Sequence, residues 1–170
     1  MSLVVEDGTG LSTAEAYCSV AEATAYHSAR GNAAWAALAS DAIREQCLRN
    51  ASAYMVGEYR MRWAGTRLND VQALDWPRSL VPRKDGATES YYPNDAVPTE
   101  VKNACASLAL RAATAALFKD QTQRKSSVTV GPISTTYEAG SKIAPTYSEI
   151  DAMLKPMLAT GRGQIRMVRA

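Results

Sequence analysis

The chain has 170 residues, 46% hydrophobic and 21% charged, with a formal net charge of +2. That length supports one sizeable core but is short for two separately stable ones, and the apolar share is too high for wholesale disorder. The mild charge is far below the basic excess of a dedicated nucleic-acid clamp, so charge alone names no partner.

Three cysteines, Cys18, Cys47 and Cys105, are odd in number and lack C-x-x-C spacing, which argues against a disulfide framework or a zinc site and fits a reducing cytoplasm. The N-terminus has no basic start followed by a long apolar stretch. No run approaches the roughly 18 apolar residues needed to span a bilayer. The expectation is a protein neither exported by that route nor embedded in a membrane.

Asp7-Gly8-Thr9-Gly10 reads as a turn. An extended Ala16-Tyr17-Cys18 leads into Ser19-Val20-Ala21-Glu22, whose spacing is that of a capping box, so a first helix is predicted over 19–30 with Gly31 as its stop. A short helical piece at 32–38 precedes Ser40, an N-cap with Asp41 near the positive helix end. Ile43, Cys47, Ala51, Tyr54 and Met55 then recur at helical spacing and predict a second long helix over 40–60.

Periodicity disappears between 61 and 97, where Gly65, Pro77, Pro82, Gly86 and Pro93 break any long helix. Connections longer than about 12 to 15 residues are commonly functional or mobile, which makes this one a candidate contact surface. Pro98 then opens a helix predicted over 98–118, with Val101, Cys105, Leu108, Ala112 and Ala115 as its stripe. Alanine on several faces lets neighbours approach closely, so this is the candidate central helix.

The pattern then switches to period two. Ser127-Val128-Thr129-Val130 and Ile133-Ser134-Thr135-Thr136-Tyr137 flank Gly131-Pro132, and predict a β-hairpin over 127–138. An isolated hairpin is marginal in water, so Val128, Val130, Ile133 and Tyr137 are candidate contacts to a packing partner in the same domain or a neighbouring subunit. Ser148 can cap a last helix over 147–158, with Pro156 placed to kink or shorten it. Gly161-Arg162-Gly163 releases a tail in which cations alternate with apolar residues. The fold class expected is mainly α: a small bundle of about four helices with a β-hairpin and an extended C-terminal tail. One helical domain would fill 1–160, leaving 161–170 as the tail.

Chemistry is sparse. His27 is the only histidine and has no nucleophile motif near it, so an ordinary structural histidine is expected rather than a catalytic one. Carboxylates are scattered singly, which disfavours a metal site, and neither glycine cluster has the context of a phosphate-binding loop. Cys47 and Cys105 fall on apolar stripes and read as buried small hydrophobes. No enzymatic activity and no cofactor are expected. Basic residues do gather around the long connection with Trp63 and Trp76, the mixture that single-strand binding uses. Arg62, Trp63, Arg67, Trp76 and Arg78 are therefore candidate interface or DNA-facing residues, set against the plainer reading of a solvated loop whose tryptophans anchor it to the core.

Several strings occur together in order: Val5-Glu6-Asp7-Gly8-Thr9-Gly10, Ala16-Tyr17-Cys18-Ser19-Val20, Ala73-Leu74-Asp75-Trp76-Pro77-Arg78, 97–105, and Val130-Gly131-Pro132-Ile133 before a basic end. In this the chain resembles a phage and prophage family placed near the head-tail connectors, which has also carried the label of a DnaT-like single-stranded DNA-binding protein. The connector side of the resemblance implies a structural virion protein: an adaptor subunit that assembles into a closed ring of about twelve-fold symmetry below the portal and extends the DNA channel. Its implied partners are the portal protein, other neck and tail-completion proteins, further copies of itself, and passing double-stranded DNA contacted without sequence specificity. Its implied place is the neck of the virion, after assembly from the host cytoplasm.

On that reading 164–170 contact the portal, with Ile165, Met167 and Val168 supplying apolar contact and Arg166 and Arg169 charge-assisted bonds. A last strand packed on the subunit's own hairpin is the plainer alternative for the same residues. The other label implies a single-stranded DNA binder, against which stand the weak positive charge and the lack of a five-strand pattern. The sequence therefore favours the adaptor, with single-strand binding as the alternative.

Overall fold

The capping box at Ser19 forms as its spacing predicts. The Glu22 amide donates to Ser19 Oγ at 3.2 Å while the Ser19 amide donates to Glu22 Oε2 at 2.8 Å, opening α1 (Val20–Ala29). Gly31, at φ +68°, turns the chain out of it. A single turn, α2 (Ala33–Ala36), buries Trp35, whose indole N–H donates to Thr24 Oγ1 at 3.0 Å. Ser40 accepts from the Ile43 amide and starts α3 (Asp41–Tyr59), which turns Cys47, Leu48, Ala51, Tyr54 and Met55 inward. The computed structural model describes residues 2–85, 90–118, 127–130, 133–136 and 147–159.

Two short strands follow, β1 (Thr66–Arg67) and β2 (Arg78–Ser79), paired antiparallel with Thr66 opposite Ser79. Next comes α4 (Thr99–Ala112), which buries Val101 and every residue from Ala104 to Ala109. It packs on α1 and α3 and on the later α5 (Ser148–Leu154), so the alanine-rich helix is the central one, as its composition predicts. It ends at Ala112 rather than near 118. Turning off there brings Leu117 into the core and lays Phe118 over α3, its ring 4.7 Å from that of Tyr54. Gly57 makes room: a Cβ there would lie 2.8 Å from Phe118 Cζ.

β3 (Ser127–Val130) and β4 (Ile133–Thr136) form the antiparallel hairpin, with Ser127 opposite Thr136 and Val130 opposite Ile133. Tyr147 and Phe118 both set their rings against Tyr54, at 5.4 and 4.7 Å. Ser148 is the first helical residue of α5 rather than its cap, which is Tyr147 with no side-chain bond. The helix stops at Leu154 and tightens into a 3₁₀ turn at Lys155–Met157, the shortening expected of Pro156. The described residues are mainly helical, with five helices packed together. The tail at 161–170 lies outside the described residues.

The connection over 61–97 is expected to be irregular and a candidate contact surface; it has little helix or strand, and most of its described residues are tightly packed. Leu74, Asp75, Trp76, Arg78 and Val81 are buried, and Trp76 leads into a cis bond to Pro77. Arg78, 6% exposed, spends its guanidinium on backbone carbonyls: Nε to Ala64 at 2.9 Å, Nη2 to Gly65 at 2.8 Å and Nη1 to Asp75 at 3.3 Å. Gln72 Nε2 donates to the carbonyls of Leu74 and Pro77 at 2.8 and 3.1 Å. Tyr17 Oη accepts from the Asp75 amide at 3.1 Å, and Asp75 Oδ1 accepts from Arg60 Nε at 2.8 Å. Side chains thus satisfy a backbone that helix and sheet leave unpaired, the condition for burying such a segment.

The N-terminal glycine turn is part of the same block. Glu6, 2% exposed, accepts from the amides of Gly8, Gly10 and Leu11 at 2.9 to 3.0 Å. Gly8, at φ +106°, lies against the Asp95 carbonyl, where a Cβ would collide. Asp7-Gly8-Thr9-Gly10 is a packed structural turn.

Replacing Arg78 by Met keeps its bulk but strands carbonyls that it now satisfies. Urea denaturation is expected to show a loss of about 3 kcal/mol, within the range for breaking a buried charged donor from its acceptors. A loss below about 1 kcal/mol would mean that the segment is not held by these bonds.

Candidate nucleic-acid interface

Beyond β2 the chain runs out and back as a narrow ribbon over 81–85 and 90–92. The Tyr92 amide donates to the Val81 carbonyl at 2.9 Å and the Arg83 amide to that of Ser90 at 2.8 Å, with Pro82 bridged antiparallel to Tyr91. Alternation divides its faces. Val81 is buried and Tyr92 sets its ring edge-on to Trp76 at 6.2 Å, while Pro82 and Tyr91 turn outward. Tyr91 is 55% exposed, a large aromatic surface in solvent.

Charge gathers at the same place. The Arg83 guanidinium lies 5.0 Å from the Tyr92 ring centroid and forms no carboxylate pair among the described residues. Lys84 Nζ donates to the Leu158 carbonyl at 2.7 Å, tying the ribbon to the end of the 3₁₀ turn. Asp85 is the nearby countercharge in sequence. Burial raises the Tyr92 phenol above its ordinary pKa, so it stays a neutral ring throughout the physiological range. At the ribbon's base Leu80 has φ +59° and is 66% exposed, an unusual conformation for a branched apolar residue. Gly65 packs so closely on Ser79 and Leu80 that a Cβ would meet their backbone.

The five loop residues singled out by sequence separate into two groups. Trp63 and Trp76 are 5% and 0% exposed, with rings edge-on at 5.7 Å, so neither offers a face to a base in this conformation. Arg78 is buried with them. Arg62 remains at the surface, paired with Glu58 at 3.0 Å and Asp151 at 3.1 Å, and Arg67 donates to the carbonyls of Gln72 and Asp70. The outward aromatic of the region is Tyr91, which the tryptophans overshadow in the sequence. Its signal was the Tyr91-Tyr92 pair facing Arg83-Lys84 across Gly86. Of the hairpin residues, Val128 and Val130 lie on β3 and Ile133 on β4, while Tyr137 and the tail residues Ile165, Arg166, Met167, Val168 and Arg169 lie outside the described residues.

Among the described residues no group of three or more His, Cys, Asp or Glu is arranged to hold a metal ion. No described helix is long and apolar enough to cross a membrane. All three cysteines are buried and free. The structure is that of a mainly helical domain carrying a basic and aromatic ribbon on its surface. Residues 1–170 match the family described as "Putative DnaT-like ssDNA binding protein", and the chain belongs to that family. No curated protein and no solved structure matches it.

His27 is accounted for by packing. It is 1% exposed, its Nε2 lies 3.0 Å from the Ala106 carbonyl, and its Nδ1 lies 3.0 Å from Asn32 Nδ2. One N–H donor and one lone pair satisfy both contacts, which assigns a neutral ring protonated at Nε2. Burial lowers its pKa from the ordinary 6.5. The unfolded chain then takes up a proton more readily than the folded one, so the stabilisation is complete above pH 6.5 and is lost as the pH falls below it. Urea midpoints of the native chain are expected to fall over that window. In His27→Gln the part of the slope belonging to this ring should vanish, whereas an unchanged slope would place the titration elsewhere.

Proposed function

We propose that this protein binds single-stranded nucleic acid and that the ribbon over 81–85 and 90–92 is its contact surface. The description of its family supports the activity, and the observation that carries the location is the exposed Tyr91 ring on a ribbon that also carries Arg83 and Lys84. Every base has a π-face, so one protruding aromatic gives sequence-tolerant stacking worth about 1 to 3 kcal/mol per base. Arg83 and Lys84, exposed on the same ribbon, supply charge for the phosphates of the bound strand. Buried Trp76 with half-buried Tyr92 against it fixes the ribbon's inner face, so little order has to be created on binding.

A net charge of +2 makes this a modest binder rather than a clamp. With two phosphate contacts, log K against log salt should have a slope of about −1.4, shallow beside that of a protein covering a long site. Anisotropy of a labelled oligothymidine is expected to show saturable binding, weakened about tenfold by Tyr91→Ala, the loss of one stacking contact. Arg83→Gln should flatten the salt slope by about 0.7. Binding that ignores both substitutions would remove the ribbon from the interface, and no binding at low salt would remove the activity.

A head-tail adaptor is the second reading, and one observation favours it. Among the described residues β3 and β4, of four residues each, pair only with each other. Such a hairpin gains stability from a neighbouring subunit, and a subunit ring supplies one. On this reading the tail binds the portal. The described chain runs to Ala159, where the Ala159 amide donates to the Arg62 carbonyl at 2.8 Å and Leu158 bridges Trp63. Deleting 161–170 spares that bridge, so the melting temperature should move by less than about 2 °C. The adaptor reading adds loss of portal binding. A large fall in melting temperature would instead mean that the segment packs on its own subunit.

A further inference from the structure

A second polar site lies away from the ribbon, between the end of α1, the middle of α4 and the start of α5. It is a cleft of about 300 Å³ whose lining includes His27, Arg30, Asn32, Ser107, Arg111 and Glu149. Two features distinguish it from an ordinary crevice.

The first is its chemistry, which is nearly all hydrogen-bond donors. Arg30 lies flat on Tyr26, 3.7 Å from the ring centroid, with Nη1 donating to the Tyr26 carbonyl at 3.2 Å. Its other donors are unengaged and it faces no carboxylate among the described residues. Asn32 uses one amide hydrogen on His27 and keeps another. His27, held neutral with its lone pair occupied, adds no competing acceptor.

The second is that the site already grips an oxyanion. Glu149 Oε1 accepts from Ser107 Oγ at 3.3 Å and its other oxygen accepts from Arg111 Nη2, while Arg111 Nη1 donates to Ser107 Oγ at 2.9 Å. Ser107 and Arg111 thus form a fork that fits a carboxylate, and the carboxylate in it is half-exposed, 48% by side chain. Arg30 supplies a second guanidinium on the same cleft without an anion of its own. Two cations against one carboxylate leave an unbalanced positive charge along the cleft, open to charge-assisted bonds with an anion.

We propose that this cleft binds a phosphate group between Arg30 and Arg111, with Asn32 and Ser107 as neutral donors and Glu149 as the internal competitor that the ligand displaces or pushes aside. A phosphate has more acceptor positions than a carboxylate and can reach both guanidiniums at once. The same chemistry comes from free phosphate or from the terminal phosphate of an oligonucleotide. The site does not depend on the ribbon, so either can fail without the other.

The test uses the full chain and inorganic phosphate, measured by thermal shift and calorimetry against chloride at equal ionic strength. Wild type should show a saturable rise in melting temperature. Arg30→Gln, which breaks no ion pair, should bind about tenfold more weakly. Glu149→Gln should bind more tightly, because the competing charge is gone. Arg30→Gln responding as wild type does, or phosphate acting no differently from chloride on wild type and Glu149→Gln alike, would overturn the proposal. For the source of the group, a 5′-phosphorylated oligonucleotide that displaces phosphate where its 5′-hydroxyl twin does not identifies a nucleic-acid terminus. Equal failure of both to displace it identifies free phosphate as the ligand. Tyr91→Ala should leave every one of these readings unchanged.

Discussion

Arg78 brings a full positive charge into the interior, and much of the architecture between α3 and α4 follows from satisfying it. An unpaired buried guanidinium would cost several kcal/mol. Here it donates to three carbonyls, of Ala64, Gly65 and Asp75, and those carbonyls belong to a backbone that no helix or sheet supplies with partners. One side chain therefore solves two problems at once, its own desolvation and that of the segment. The neighbouring Asp75 carboxylate is also buried and reaches outward to Arg60, while its amide is tied to Tyr17 Oη. The N-terminal segment, the end of α3 and the long connection are joined at this point.

The surface inherits its rigidity from that block. Trp76 is fully buried at the cis bond to Pro77, its ring braces Tyr92, and Tyr92 with Val81 forms the inward face of the ribbon. The outward face then consists of whatever the alternation leaves, namely Pro82 and Tyr91, with Arg83 laid across Tyr92. The aromatic richness of the segment is thus divided: tryptophans for the core, tyrosine for contact. Within the bundle α4 does comparable work, since its small residues bring α1, α3 and α5 close enough for Arg30 and Arg111 to line one cleft.

The helices were legible because their signals are local. Ser19 and Glu22 sit three apart, Ser40 precedes an amphipathic run, and the stripe from Val101 to Leu108 marks the central face. The end of α4 was not legible, because it is set by Phe118 finding space over Gly57, a contact across 61 positions (118 − 57). How tightly the long connection is packed was hidden for a related reason. Its order rests on side chain to backbone bonds such as those of Arg78 and Gln72, which have no period to detect, so a buried segment looks like a loop. Trp63 and Trp76, weighed both as anchors and as DNA-facing, are buried in this structure. The cleft between Arg30 and Arg111 joins residues 81 positions apart (111 − 30) and had no signal in the sequence. Family membership, in turn, supports the single-strand reading that the mild net charge had placed second.

The central claim is one of location, and backbone amide shifts test it most directly. Titrating the isotope-labelled chain with oligothymidine at low salt should move the amides of 81, 83–85 and 90–92, along with those of Arg67 and Leu80 near the ribbon's base, and leave the interior of α4 unmoved. Shifts confined to other surfaces, or none at a concentration where binding is saturated, would contradict it.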